Sequence, residues 1–432
     1  MADPRVAASG LRHAEARVLE AVDEQRLVDG LVTMIRIPSV TGSAAESELQ
    51  HWHAHELSTL GCDVDHWQLD LDELAAQQDY PGREAPRTEG YGTVGVLGPA
   101  GAPALVLQGH VDVVPTGDLD TWSDRDPWSG AVRHHAVHGR GACDMKAGAA
   151  ANLAVLRALR ASGVRLERPV AAHAVVSEED GGLGAFATML PGHRGEAAVI
   201  TEPTGGQVVT ASAGALTFEL RVAGLATHGS SRLAGHSAFE AFLPVHAAVV
   251  DLERERNAHP HPLFDGNPLP CPISVGTLRA GDWASSVPDF LVARGRLGVQ
   301  LDEVPGAARR AVERAVAEAC ARDCWLRDHL VEVSWPGGQF ASGRFDSTHP
   351  LAHEILASIR DVEGRAASVG AVPYGSDLRL YAGLGGGIPT LHYGPGDVRL
   401  AHGPRKRVDI TELVRVARSL ALLAARRCGA HV

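Results

Sequence analysis

The chain has 432 residues, of which 45% are apolar and 21% are charged, a length and composition that predict two or more domains with ample cores. A net charge of −12 at pH 7 argues against nucleic acid or an anionic membrane surface as the partner. The six cysteines form no CxxC pair, and no apolar stretch suits a membrane span or a signal peptide, so a cytoplasmic protein is expected.

The first half of the chain alternates between strand-like and helical segments. Helical spacing of apolar residues begins near Leu27, and Pro38 is expected to end that helix, whereas the polar segment 71–90 predicts a loop. Strands that alternate with helices indicate an α/β fold with a mixed, mostly parallel sheet and helices on both faces. The predicted strands are Thr93–Leu97, Ala104–Gln108, Val170–Ser177 and Ala197–Thr201, with a helix at Lys146–Ala161.

The order of elements changes after Glu202. The new order is β-α-β-β-α-β, that of an α+β ferredoxin-like unit, although Pro244 is expected to kink its first helix. We therefore predict one domain from residues 1–210 and 339–432, interrupted by an inserted domain at 211–338. The elements of the inserted domain are expected at Leu216–Val222, Ala238–Glu253, Ile273–Arg279, Leu291–Val299, Ala307–Ala321 and Leu330–Trp335, followed by Leu351–Val362, Pro389–Tyr393 and Ile410–Ala425 in the returning chain.

Acidic and histidine side chains with small neighbours recur along the chain, several of them directly after predicted strands. Because ligands of such sheets bind at the carboxyl ends of the strands, these side chains are expected to meet in one site. Imidazole and carboxylate groups suit Zn²⁺, and a shared carboxylate can hold two ions close together, so the pattern predicts a dinuclear zinc hydrolase. The segments are Gly109-His110-Val111-Asp112, Gly141-Ala142-Cys143-Asp144, Ser177-Glu178-Glu179-Asp180-Gly181, Thr201-Glu202-Pro203 and Ala401-His402-Gly403.

Each of these residues also has an ordinary alternative. His110 and Asp112 are two residues apart, so on a strand Asp112 can accept a hydrogen bond from the second nitrogen of His110, but such pairs are also common on surfaces. Asp144 could equally cap the helix that begins near Lys146, and the acidic run at Glu178 could be a solvated turn. A single histidine carries little weight in a chain with 22 of them, so the hypothesis depends on the ordered set.

The segments GHVDVVPTGD, GRGACDMKAG, SEEDGG, TEPT and GPGDVRLAH resemble the successive motifs of a zinc-dependent amidohydrolase family. That family contains acetylornithine deacetylase, succinyl-diaminopimelate desuccinylase, aminoacylase and glutamate-releasing carboxypeptidases. The resemblance covers nearly the whole chain. It implies a zinc-peptidase-like catalytic domain and an inserted dimerisation domain, and hence a homodimer.

The resemblance also implies a set of metal ligands. His110 and Glu202 would bind one zinc ion, Glu179 and His402 would bind the other, and Asp144 would bridge both. Two Zn²⁺ ions per subunit are therefore expected, with Co²⁺ or Mn²⁺ as alternatives.

Three further residues match catalytic positions of the family. Asp112 would orient the histidine ligand, and Glu178 would be the general base for a hydroxide held between the metals. His228 would stabilise the oxyanion from across the dimer interface, although a turn-capping histidine is the alternative for it. The family typically has a cis peptide bond after the bridging aspartate, so a cis Asp144–Met145 bond is expected.

The chain departs from the family pattern in its presumed pocket. His236 and Ser285 stand where the family often has asparagine, and Lys406 stands where it often has glutamate. Arg379 and Arg296 are the predicted handles for a substrate carboxylate, because a guanidinium pairs a carboxylate in bidentate fashion. A structural salt bridge is the alternative for Arg379.

The leading functional hypothesis is hydrolysis of the amide bond in N-acyl amino acids or related N-acyl amines. A dipeptidase or carboxypeptidase that uses the same site is the close alternative, and the expected partner is a small N-acyl amino acid or dipeptide rather than nucleic acid or membrane. A metal-binding pseudoenzyme is a distant alternative. Phosphate binding is suggested only by Gly385-Gly386-Gly387, and the chain has no GxxxxGKS or GxxxxGKT motif.

Overall fold

The computed structural model describes residues 11–122, 125–383 and 387–432. Gly385 and Gly386 of the glycine triplet lie outside the described residues. The chain separates into two compact units: the first contains Met1–Thr210, Arg344–Gly370 and Asp377–Val432, and the second contains Ala211–Gly343 and Ala371–Ser376. The domain boundaries at 210/211 and 338/339 stay predictions. Within the described ranges, no helix is long and apolar enough to cross a membrane.

Helices and strands alternate along the first part of the chain. The helices are α1 (His13–Glu20), α2 (Glu24–Arg36), α3 (Ala44–Thr59), α4 (Leu71–Ala75), α5 (Lys146–Ala161) and α6 (Leu183–Met189). The strands are β1 (Asp63–Gln68), β2 (Tyr91–Leu97), β3 (Leu105–His110), β4 (Val132–Arg133), β5 (Ala136–His138), β6 (Val170–Val175), β7 (Ala198–Ile200) and β8 (Val208–Ser212). Helix α5 has the predicted bounds. The prediction of an unbroken loop at 71–90 is wrong, because the Asp70 side chain accepts a hydrogen bond from Glu73 N and caps α4.

The second unit has the predicted β-α-β-β-α-β order. Its elements are β9 (Gly214–Ala223), α7 (Ala238–Arg256), β10 (Ile273–Ala280), β11 (Phe290–Val299), α8 (Pro305–Arg322) and β12 (Glu332–Ser334), followed by the short strand β13 (Gln339–Phe340). The strands lie in the antiparallel order β10-β11-β9-β12. Their apolar residues form a separate core with α7 and α8, and α7 extends past Pro244 in both directions.

Most of the returning chain completes the first unit, whereas Ala371–Ser376 belongs to the second. The elements of the returning chain are β14 (Gly343–Arg344), α9 (Pro350–Glu363), β15 (Val369–Val372), α10 (Leu378–Gly383), β16 (Thr390–His392), β17 (Arg407–Asp409) and α11 (Ile410–Arg427). Two of these helices begin next to a local cap, because Asp409 and His349 accept hydrogen bonds from the main chain at the starts of α11 and α9.

A nine-stranded mixed sheet has the order β1-β2-β6-β3-β7-β16-β8-β14, with β15 beside β8. The central strands β6, β3, β7 and β16 are parallel, whereas β1, β2 and β8 run antiparallel to their neighbours. Every residue of β3 and β6 is buried, and because successive residues of a strand face opposite sides, both faces of the sheet are covered there. The predicted fold class is confirmed.

Candidate active site

Three neighbouring parallel strands end next to one cluster of polar side chains. His110 is the last residue of β3, Glu178 follows the end of β6, and Glu202 follows the end of β7. The Nε2 atom of His110 lies 4.0 Å from Glu178 Oε2 and 3.9 Å from Glu202 Oε1. The carboxyl ends of adjacent parallel strands thus bring an imidazole and two carboxylates together at one edge of the sheet.

Asp144 lies between two histidines. Its Oδ1 is 3.4 Å from His110 Nε2, and its Oδ2 is 3.4 Å from His402 Nε2, which is also 3.1 Å from Glu179 Oε2. All five residues predicted as metal ligands therefore belong to one cluster, although they are spread from residue 110 to residue 402. The peptide bond between Asp144 and Met145 is cis, as predicted.

The side chains of the cluster fit a divalent cation. His110 Nε2 and Glu179 Oε1 are buried and have no hydrogen-bond partner among the described residues, an arrangement that is costly unless a ligand satisfies them. Burial raises the pKa of Glu202 to about 8, and burial together with Asp144 raises the pKa of Glu179. Crowded, buried carboxylates beside imidazole nitrogens are a donor set for zinc or a similar ion, which would offset their charge.

The ligand atoms fall into two triplets in which all atoms lie within 4.8 Å of one another. One triplet is His110, Asp144 and Glu179, and the other is His110, Glu178 and Glu202. Neither triplet matches the predicted division of the ligands. The first combines His110 with Glu179, which were predicted to bind different ions, and the second includes Glu178, which was predicted to be the base. The assignment of roles within the cluster remains a prediction.

Asp112 contacts both His110 and the main chain of the two glutamates, but its contact with His110 differs from the predicted one. The nearest acceptor for His110 Nδ1 is the backbone carbonyl of Asp112 at 2.9 Å, whereas the carboxylate oxygen lies 3.5 Å away. A carbonyl can only accept, so Nδ1 carries the proton and Nε2 presents its lone pair to the cluster. The carboxylate accepts from Glu178 N at 3.1 Å, Glu179 N at 3.2 Å and Thr41 Oγ1 at 2.9 Å, and it thereby fixes the main chain that carries both glutamates.

A buried ion pair that the sequence analysis missed supports the same segment. Arg87 donates from Nη1 to Glu46 Oε2 at 2.8 Å and from Nη2 to Glu46 Oε1 at 3.2 Å, and both side chains are almost inaccessible to solvent. Glu46 Oε1 also accepts from Ser177 N at 3.1 Å, one residue before Glu178. The sequence signal was the place of Glu46 on the buried face of α3, at helical spacing from Leu49.

The buried carboxylate of Asp377 and the guanidinium of Arg379 lie within electrostatic reach of Glu178. Asp377 is buried and accepts from Gln108 Nε2 at 2.8 Å, and burial raises its pKa to about 6. Arg379 donates from Nη2 to the Gly181 carbonyl at 2.6 Å. Burial lowers the pKa of Arg379 to about 10 against the opposing influence of Asp377 and Glu178, so a guanidinium lies within electrostatic reach of the predicted base.

Two predicted site residues belong to the second unit. Arg296 donates from Nη2 to the Pro373 carbonyl at 3.0 Å, and burial lowers its pKa. His228 precedes a short 3-10 turn, and its Nδ1 accepts from Ser230 N at 3.2 Å, which is the contact of a turn-capping histidine. A substrate role for Arg296 and a catalytic role for His228 stay predictions.

The Thr201–Glu202 main chain is packed between two glycines. A Cβ atom on Gly148 of α5 would lie 2.0 Å from the Thr201 carbonyl oxygen, and one on Gly394 would lie 2.2 Å from the same atom. Since real atoms do not approach so closely, both positions must lack a side chain for Glu202 to keep its place.

We expect Gly148→Ala to destabilise the protein by about 1–3 kcal/mol, as overpacked sites do, and to lower its metal content by displacing Glu202. Gly30→Ala is the matched control, because Gly30 is also helical and its Cβ would meet only the Arg157 side chain at 3.6 Å. Urea unfolding and elemental analysis of both variants measure the effects. Equal stability and equal metal content in the two variants would contradict the packing argument.

Comparison with known proteins identifies relatives over most of the chain. Residues 106–426 match the profile of Peptidase family M20/M25/M40. The N-formyl-4-amino-5-aminomethyl-2-methylpyrimidine deformylase of Bacillus subtilis is 24% identical over 416 residues, which are 90% of this chain and 92% of that protein. The acetylornithine deacetylase of Erwinia tasmaniensis is 27% identical over 394 residues, which are 90% of this chain and 94% of that protein.

Solved structures share the fold at lower identity. A dipeptidase of Saccharomyces cerevisiae aligns with a TM-score of 0.79 and 13% identity, over 97% of this chain and 99% of its own. Human carnosine dipeptidase 1 aligns with a TM-score of 0.76 and 13% identity, over 96% of this chain and 100% of its own. At these identities the likeness shows the fold alone.

Proposed function

This chain is a hydrolase that belongs to peptidase family M20/M25/M40, and from that premise we propose that it is a metal-dependent deacylase of small N-acyl amino acids or N-acyl amines. The observation that carries the proposal is the position of Asp144, with one carboxylate oxygen 3.4 Å from each of two imidazoles. A carboxylate so placed can serve two cations at once. The surrounding carboxylates of Glu179 and Glu202 supply the remaining negative charge.

We assign the ligands as the sequence predicts. His110 and Glu202 would hold one divalent ion, Glu179 and His402 would hold the other, and Asp144 would contact both. Two such ions, when bound, supply Lewis-acid polarisation of a carbonyl and lower the pKa of water toward about 7. Zinc is the proposed metal, because its usual ligands are histidine nitrogens and carboxylate oxygens, with Co²⁺ and Mn²⁺ as alternatives.

Glu178 is the proposed proton carrier. Burial raises its pKa well above the usual value, and the neighbouring Glu202 carboxylate raises it further, whereas His110 opposes the shift. A raised pKa makes a carboxylate a stronger base, so Glu178 could take a proton from the attacking water and return it to the leaving amine. Asp112 holds Glu178 N, so the main chain that carries the base is fixed relative to His110.

A deacylase is favoured over a dipeptidase by the sequence relatives. The deformylase and the deacetylase each match 90% of this chain at 24% and 27% identity, whereas the dipeptidases resemble it at 13%. Arg379, which lies near Glu178, is the proposed handle for a carboxylate of the substrate, and Arg296 is a second proposed handle. We further propose a homodimer in which His228 of one subunit stabilises the oxyanion in the active site of the other. If sedimentation experiments show that the active enzyme is a monomer, His228 cannot have this role.

A substrate panel tests the proposed reaction. We expect N-formyl, N-acetyl or N-succinyl amino acids to have higher kcat/KM values than dipeptides, with enzyme loaded separately with Zn²⁺, Co²⁺ and Mn²⁺. Carboxamide analogues of the best substrate are the control for the carboxylate handle and should be poorer substrates. Faster cleavage of dipeptides than of every N-acyl compound would replace the deacylase with a dipeptidase of the same site.

A further inference from the structure

A pocket of about 320 Å³ in the first unit has no part in the proposed reaction. It is lined by the β4–β5 hairpin, by residues before that hairpin, and by the segment 404–407 that leads into β17. Its lining residues include Arg133, Arg405, Lys406 and Arg407. We call it the hairpin pocket.

The hairpin pocket is basic in a protein that is acidic overall. Three arginines and one lysine line it, whereas Asp126 is the only carboxylate among the described lining residues. One oxygen of Asp126 already accepts a hydrogen bond from Trp128 N at 2.9 Å. The local excess of basic residues is thus opposite in sign to the net charge of the whole chain, which is −12. Such a concentration of one sign of charge around a cavity attracts an ion of the opposite sign.

Lys406 gives the strongest indication of a ligand. Its side chain is 1% exposed, and its Nζ has no hydrogen-bond partner among the described residues. Lys146, the other lysine of the chain, is also buried, but its Nζ donates to the carbonyls of Met34 at 2.9 Å and Ile37 at 2.8 Å. A buried ammonium without a partner is strongly unfavourable, so an acceptor from outside the described residues would stabilise the charged form of Lys406.

Two neighbouring side chains also have nitrogens without a partner among the described residues. His138 Nε2, on the pocket wall, is buried without a partner among the described residues. Arg140 does not line the pocket and lies within electrostatic reach of Glu179 and Asp144. It is 1% exposed and stacks on the lining residue Trp122 at 5.1 Å. Its Nη2 donates to the Pro115 carbonyl at 2.8 Å, but its Nε and Nη1 have no partner in the described part of the chain.

We propose that the hairpin pocket is a binding site for a small oxyanion, a phosphate or carboxylate group that accepts a hydrogen bond from Lys406 Nζ. The compact ammonium acts as a point charge toward such a group, and the arginines at the pocket wall add electrostatic attraction. The ligand class follows from the Lys406 ammonium, because a buried cation without an acceptor calls for an anion with oxygen acceptors.

The test is binding of inorganic phosphate and of succinate to the purified full-length protein at constant ionic strength. We expect at least one of them to raise the thermal unfolding temperature with saturation, and isothermal titration to give a Kd that Lys406→Met weakens at least tenfold. Arg26→Met, an exposed change on α2, is the control and should leave the Kd unchanged. A tighter Kd for phosphate or for succinate identifies which oxyanion the pocket prefers.

Binding at the metal cluster must be told apart from binding in the hairpin pocket. We expect the saturable shift to persist after EDTA treatment, since none of the pocket residues is a proposed metal ligand. Binding that disappears with EDTA and survives Lys406→Met would overturn the proposal, as would the absence of saturable binding by either anion. If Lys406→Met does not fold, Arg407→Gln provides the same comparison by phosphorus NMR, and an unchanged phosphate affinity in that variant would also overturn it.

Discussion

Glu178→Gln is expected to lose turnover by a factor on the order of 10²–10⁴ while it keeps its metal ions. Glutamine has the same shape as glutamate but cannot take a proton, and Glu178 N would still donate to Asp112. The cluster geometry should therefore survive. Initial rates with the best substrate, together with elemental analysis of the same preparation, measure both quantities.

The adjacent residue provides the matched control. Glu179→Gln is expected to lose metal as well as activity, because Glu179 lies 3.1 Å from His402 and is a proposed ligand. If Glu178→Gln instead loses metal, Glu178 is a ligand together with His110 and Glu202, an arrangement that their mutual distances allow. The pair of variants thus separates the base from the ligand.

The second large effect is expected at the buried pair of Glu46 and Arg87. Arg87→Met should destabilise the protein by about 3–5 kcal/mol, because it leaves a buried carboxylate without its partner. Turnover should also fall, since Glu46 holds Ser177 N next to the proposed base. Glu46→Gln combined with Arg87→Met should be less harmful than Arg87→Met alone, and a double-mutant cycle from urea unfolding measures the difference.

The pH dependence of Arg87→Met gives an independent check. Burial, and then Asp112, raise the pKa of Glu46 to about 8 even against the opposing charge of Arg87. A carboxyl group with a higher pKa in the folded state than in the unfolded state binds more protons when folded, so stability rises as the pH falls below about 8. Loss of Arg87 would raise that pKa further, so the stability deficit of the variant should be largest above pH 8 and should shrink as the pH falls to about 8, below which Glu46 holds a proton in both folded proteins. A deficit independent of pH would mean that Glu46 carries no uncompensated charge.

Strand ends predicted only part of the cluster, whereas the places of Asp144 and His402 in it were expected from the family resemblance. His110 and Glu202 each come directly after an apolar run, and the order of the parallel strands then brings them together. Glu46 and Arg87 could not be found in this way. They come from a helix and from a polar segment, they pair over 41 positions, and no local pattern specifies a partner at that distance.

Other differences between prediction and structure have local causes. Helix α4 has only five residues and depends on one Asp70 contact, which hydrophobic periodicity does not detect. The same limit applies to β4 and β5, which have two and three residues. The predicted hydrogen bond from His110 Nδ1 to the Asp112 carboxylate assumed that both residues lie on one strand. Strand β3 ends at His110, so Asp112 lies outside it and its backbone carbonyl is the nearest acceptor instead.

The pairing of β16 with β7 has a consequence for biosynthesis. Thr390–His392 lies parallel to Ala198–Ile200, so a central position of the sheet is filled only after most of the chain has been made. Contacts this distant in sequence form slowly, and until then the edge of β7 is exposed to other chains. His402 follows β16, so the last of the proposed metal ligands also leaves the ribosome late. Shortened products that end before residue 390 would lack both strand and histidine, and would be prone to aggregate rather than to form partial enzymes.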